Sequence, residues 1–128
     1  MIYEDGVRYK FNPFARNYVA TAGVMNWIED HQAYWLLDVI ASYKNDLIKK
    51  KADYLKICEM KVDVANTCGV FTITDEINGE LIRQVIPYTD LKENIKIWAI
   101  DEGELVVCIL PHEYWSLTAR NKDFSFTF

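Results

Sequence analysis

Residues 54 to 64 read YLKICEMKVDV, and at this stretch the apolar positions change from the 3.6-residue period of a helix to the 2-residue period of a strand. Downstream, CGVFTIT (68 to 74), LIRQVIPY (81 to 88), IKIWAI (95 to 100) and ELVVCIL (104 to 110) are also of strand length and rich in β-branched or aromatic residues. Asn78-Gly79 and Asp101-Glu102-Gly103-Glu104 supply turn chemistry for two hairpins, each with a glycine available for positive φ. Pro87 cannot donate to a ladder, so it belongs at a strand end or on an edge.

Upstream the pattern is helical. Thr21 offers a side-chain oxygen to the free amides of a short first helix running through Val24, Met25, Trp27 and Ile28. A second helix is predicted to begin at Asp30 or His31. Its Ala33, Leu36, Leu37, Ile40, Tyr43, Leu47 and Ile48 gather on one broad face that must be buried. The opposite stripe carries His31, Tyr34, Asp38, Ser42 and Asn45, spaced three or four apart and hence neighbours on the helix surface. Lys49-Lys50-Lys51 falls where this helix should end, and cations there complement the last carbonyls.

Before the helices, Glu4-Asp5-Gly6 is a turn signal, and Val7, Tyr9 and Phe11 alternate with Arg8 and Lys10 as a short strand or hairpin arm that Asn12-Pro13 breaks. The expected fold is α+β: an antiparallel sheet of about five strands with two N-terminal helices packed on one face. A single domain over 1–128 is expected, with an arm (1–20), a helical part (21–52), the sheet (54–114) and a tail (115–128). In the tail Phe124, Phe126 and Phe128 alternate, so they line one face of a strand that either returns to the sheet or joins a partner.

Composition narrows the function. An apolar share of 51% in 128 residues is ample for one core and argues against disorder. Nineteen acids against fourteen bases leave a net charge of −5, unfavourable for direct nucleic-acid binding, which needs concentrated basic surface. The same charge suits docking onto a positively charged protein. With no basic leader ahead of an apolar run and no stretch long enough to span a bilayer, a cytoplasmic location and no membrane contact are expected. Cys58, Cys68 and Cys108 are odd in number, far apart and set in strand-like segments, as reduced core thiols would be.

Glycine-rich phosphate loops, Gly-x-Ser-x-Gly elbows and His-Glu-x-x-His pairs do not occur, and with only two histidines and no close cysteine pair neither a metal nor a cofactor is expected. Two groups of candidate residues remain. Tyr34, Asp38 and Ser42, with Trp115 and Phe126 of the tail, form a partner-binding set of aromatic and acidic character. His31, Asp38, His112 and Glu113 could instead line a cleft, where a His–carboxylate pair within hydrogen-bond reach would act as a general base.

Gly23-Val24, the block Ala33-Tyr34-Trp35-Leu36-Leu37-Asp38-Val39-Ile40-Ala41-Ser42, Asn78-Gly79, Ile86-Pro87-Tyr88-Thr89-Asp90 and Leu110-Pro111-His112-Glu113-Tyr114 resemble a family of small uncharacterised proteins of bacteria, phages and mobile elements. The resemblance covers roughly residues 18 to 114. Members of that family usually show Pro-Ser-Glu-Tyr where this chain has Pro111-His112-Glu113-Tyr114, which speaks against His112 as a shared catalyst. The resemblance implies a setting and no activity: small proteins of such elements often bind and block a host complex, including nucleic-acid-guided defence machinery with basic channels. The expected function is therefore a non-enzymatic protein-binding module, an anti-CRISPR-like inhibitor. The alternatives are a small enzyme or ligand binder using the His–carboxylate cleft, and a homodimer joined through the helix stripe or the tail.

Overall fold

The computed structural model describes residues 8–114. The five segments read as strands form β3 (Leu55–Asp63), β4 (Cys68–Asp75), β5 (Gly79–Ile86), β6 (Ile95–Asp101) and β7 (Val106–Ile109). Two further strands, β1 (Tyr9–Lys10) and β2 (Tyr18–Ala20), come from the N-terminal arm, so the sheet has seven strands instead of about five, in the order β1-β2-β7-β6-β3-β4-β5. It is also mixed, because β2 runs parallel to β7 while every other pairing is antiparallel. β2 escapes a period-2 reading because all three of its residues are buried, as expected for a strand covered on both faces.

There are three helices, not two: α1 (Ala22–Asp30), α2 (Tyr34–Ser42) and α3 (Lys44–Lys49). Thr21 caps α1 as expected, its Oγ1 accepting from Val24 N at 3.4 Å. The second helix starts later than the apolar pattern suggests, since His31 is the C-cap of α1 and Gln32 takes a φ of +51° that no helix can continue through. It is then divided at Tyr43, whose φ of −94° and ψ of 5° separate α2 from α3. Lys49 and Lys50 close α3, where their charge suits the carbonyl end of the helix.

The helices cover one face of the sheet. Ile28, Leu36, Leu37 and Ile40 pack with Met60, Phe71, Ile73, Ile97 and Cys108 in the main core. A second cluster on the other face holds Val19, Ile100, Val107 and Ile109, with Leu55, Trp98 and Tyr114 against it. β2 and β3 point the same way, because β2 is parallel to β7 and the steps from β7 to β6 and from β6 to β3 are both antiparallel. The three helices are thus a crossover between these strands, and the crossover sets the end of α3 beside the β6–β7 turn.

Both expected hairpins form, with looser turns than the simplest reading suggests. Asp75 pairs with Gly79, so Glu76, Ile77 and Asn78 make a three-residue loop closed by Gly79 at φ +72°, and a register shift follows at Ile73/Thr74. Asp101 pairs with Val106 around a loop in which Gly103 has φ +88°. Pro87 lies just beyond the edge strand β5, where a missing donor costs no ladder bond. No described helix is long and apolar enough to cross a membrane. Trp115, Phe126 and the rest of the tail lie outside the described residues.

Candidate functional site

Of the four residues of the His–carboxylate cleft, three are engaged separately and the fourth is exposed. The His31 ring stacks on Trp27 with centroids 3.9 Å apart, its Nδ1 lies 2.8 Å from Trp27 O, and its Nε2 lies 2.9 Å from Glu93 Oε1. Two acceptors thus face the two ring nitrogens and hold the ring in place. Asp38 Oδ1 accepts from Asn12 Nδ2 at 3.1 Å. Glu113 is buried, and its Oε1 accepts from Thr21 Oγ1 and from Leu110 N, both at 2.8 Å. His112 is exposed on the single helical turn at 111–114. No hydrogen bond or ion pair joins any two of these four, and among the described residues no group of three or more His, Cys, Asp or Glu could hold a metal ion.

The outer face of α2 is different. Tyr34 is 51% exposed, and Asp38 and Ser42 are exposed on the following turns of the same stripe. Ser42 spends its hydroxyl on Val39 O at 2.6 Å, leaving Tyr34 and Asp38 as the outward groups. Asn12 fastens the N-terminal arm to this face: its Nδ2 donates to Asp38 while its Oδ1 accepts from Phe14 N at 2.8 Å. That turn holds Phe14 with 92% of its surface exposed. From residue 17 to residue 43 the chain has the acids Glu29, Asp30 and Asp38 and no lysine or arginine.

A cavity of about 170 Å³ lies where the end of α3, β2 and the β6–β7 turn meet, lined by Asn17, Tyr18, Lys44, Lys51, Lys56 and Asp101 among others. Lys56 is only 5% exposed. Its Nζ donates to Asp53 O at 3.1 Å and Tyr54 O at 3.4 Å, and no carboxylate pairs with it. Tyr18 is equally buried, and its hydroxyl bonds to no described residue. Burial, reinforced by the Cys108 and Cys58 thiols and by Asp101, pushes that hydroxyl upward, so it stays a neutral phenol and a donor. Asn17 Oδ1 is a buried acceptor without a partner. Sequence reasoning missed this place. The available signal was Lys56 itself, which falls in phase with the buried Cys58 and Met60 of β3 where an apolar residue belongs.

A family model described as a family of unknown function (DUF6876) matches residues 3–114. A crystal structure of a protein of unknown function from Enterococcus faecalis is similar to this fold with a TM-score of 0.60, over 81% of this chain and 94% of that one, at 17% identity. That likeness concerns the fold alone. No curated protein matches the chain.

Proposed function

The chain belongs to the DUF6876 family of unknown function, and from that premise we propose that it is a non-enzymatic protein-binding module whose α1–α2 face docks on a positively charged protein. The observation that carries this reading is the double hydrogen bond of Asn12, which locks Phe14 outward beside Asp38 while Tyr34 stands one helical turn away. An exposed aromatic on a backbone already fixed in place loses less entropy on binding and serves as an anchor. Along α1 and α2 the acids Glu29, Asp30 and Asp38, with no lysine or arginine from residue 17 to residue 43, favour a basic partner and speed its encounter, while Lys10 and Arg16 flank Phe14 on the arm.

A host nucleic-acid-guided defence complex, whose channels are basic, fits this chemistry and fits the resemblance to phage and mobile-element proteins. The absence of catalysis in this reading rests on the separate engagement of His31, Asp38 and Glu113, which leaves no nucleophile–base pair among the candidate residues.

The test is capture from the lysate of the native host with tagged wild type, Tyr34→Ala/Asp38→Lys and Phe14→Ser, washed at increasing salt. The expected result is a partner held by wild type, released by salt and lost by both variants at unchanged melting temperature. Equal retention by the variants would overturn the assignment of this face. Concentration-dependent sedimentation with no other partner would replace it by self-association.

A further inference from the structure

We propose that the cavity between α3 and the β6–β7 turn binds a small oxyanion, a carboxylate or phosphate. The inference is independent of the docking face, which lies on α2 and the arm. Removing an ammonium group from water is costly unless a counter-charge compensates it, yet Lys56 is 5% exposed and its only partners are two carbonyls. A lysine has three N–H groups, so one remains for a ligand. Lys44 and Lys51 bring two further cations to the same cavity, against the single carboxylate of Asp101. In a chain of net charge −5, this is a local excess of positive charge directed at one small volume.

One uncharged group refines the choice. Tyr18 lines the cavity and its hydroxyl donates to no described residue, which suits an anion's oxygen. A carboxylate or phosphate offers several oxygens to Lys56, Lys51 and Tyr18 at once, whereas a halide offers a single point of contact. The space suits a small group: a cavity of roughly 150 Å³ holds benzene, and about 170 Å³ takes a group of similar bulk.

The experiment is calorimetric titration of the full chain with malate and, separately, with inorganic phosphate, against chloride at equal ionic strength. It is repeated with Tyr18→Phe, Lys51→Ala, Lys56→Met and, as a distant control, Phe14→Ser. We expect saturable binding of at least one oxyanion, weakened about tenfold or more in Tyr18→Phe and Lys51→Ala, as the loss of a charge-assisted hydrogen bond implies, and unchanged in Phe14→Ser. Which of the two ligands binds tells carboxylate from phosphate. Lys56→Met removes a buried group and can fail to fold, so the two milder variants decide. Heats no greater than those of chloride, or undiminished binding in both Tyr18→Phe and Lys51→Ala, would overturn the proposal.

Discussion

Thr21 Oγ1 donates to Glu113 Oε1 at 2.8 Å, joining two buried residues that lie 92 positions apart. The same Thr21 caps α1 and gives its backbone N–H to Cys108 O of β7 at 3.1 Å. Glu113 in turn accepts from Leu110 N, so the turn after β7 is folded around its own carboxyl group. Placing a carboxyl over the first turn of α1 also sets it at the positive end of the helix dipole. Two of the sequence blocks that carry the family resemblance, around Gly23 and around Glu113, thus form a single joint between the helical layer and the sheet. Glu113 is a structural tie in this arrangement.

The fit at that joint predicts a coupled pair of mutations. A Cβ on Gly23 would stand 2.9 to 3.1 Å from the carboxyl atoms of Glu113. Gly23→Ala alone should therefore destabilise by about 1–3 kcal/mol through overpacking. Glu113→Ala leaves two buried donors unpaired, at about 1–3 kcal/mol each. In the Glu113→Ala background the obstacle is gone, and Gly23→Ala should be neutral or stabilising by up to about 1 kcal/mol from helix propensity. Urea unfolding of the double-mutant cycle measures this, and simple additivity of the two changes would refute the coupling.

Asp75 should contribute to the acid limb of stability. Burial pushes its carboxyl up, but the bonds from Asp53 N, Asn78 N, the Asn78 side-chain amide and Ile77 N together outweigh that, and the folded value lies below the ordinary 3.8. A depressed folded pKa gives stability that is fully present above the ordinary Asp value and is lost as pH falls through the folded one. Asp75→Asn should lower the urea midpoint at pH 7 and flatten its fall below about pH 4. A variant whose midpoint falls with acid as steeply as wild type would exclude Asp75 as the source.

How far these features were legible differs by kind. The change of period after Asp53 located five strands because each is long enough for alternation to show, and Thr21 announced its cap. β1 and β2 have two and three residues, too few for any period, and the parallel pairing of β2 with β7 depends on a partner more than eighty positions away. The break at His31-Gln32 carries no glycine or proline, although Gln32 takes a φ of +51°. Tyr34 and Asp38 were readable as an exposed stripe. Phe14 was not, because its prominence comes from a bond between Asn12 and Asp38, 26 residues apart. Glu113 looked like chemistry because a carboxyl beside a histidine is ambiguous until burial and partners are known.

The thiols should divide by burial. Burial pushes Cys58 up to about 12, with nearby Lys56 only partly offsetting it, and burial also pushes Cys108 up, reinforced by Cys58. Cys68 at the start of β4 is partly exposed. Because the thiolate is the reactive form, iodoacetamide at pH 8 should modify native protein at Cys68 alone, and all three cysteines should react in urea. Peptide mass mapping checks this. Modification of Cys58 or Cys108 as fast as Cys68 would contradict their place in the core.

Gly69 faces a different obstacle from Gly23, and the contrast is testable. Its missing Cβ would lie 2.5 Å from Met60 Cε and 2.6 Å from Lys61 O. The methionine end is flexible and can swing aside, but the carbonyl belongs to β3, which pairs with β4 through Val62↔Gly69 and Lys61↔Val70. Moving it means moving the ladder. Gly69→Ala should cost about 1–3 kcal/mol or more, and truncating Met60 to Ala should fail to relieve it, whereas removing Glu113 relieves Gly23→Ala. Urea midpoints of Gly69→Ala with and without Met60→Ala decide the matter. Relief by Met60→Ala would mean that the side chain, and not the β3 backbone, requires glycine there.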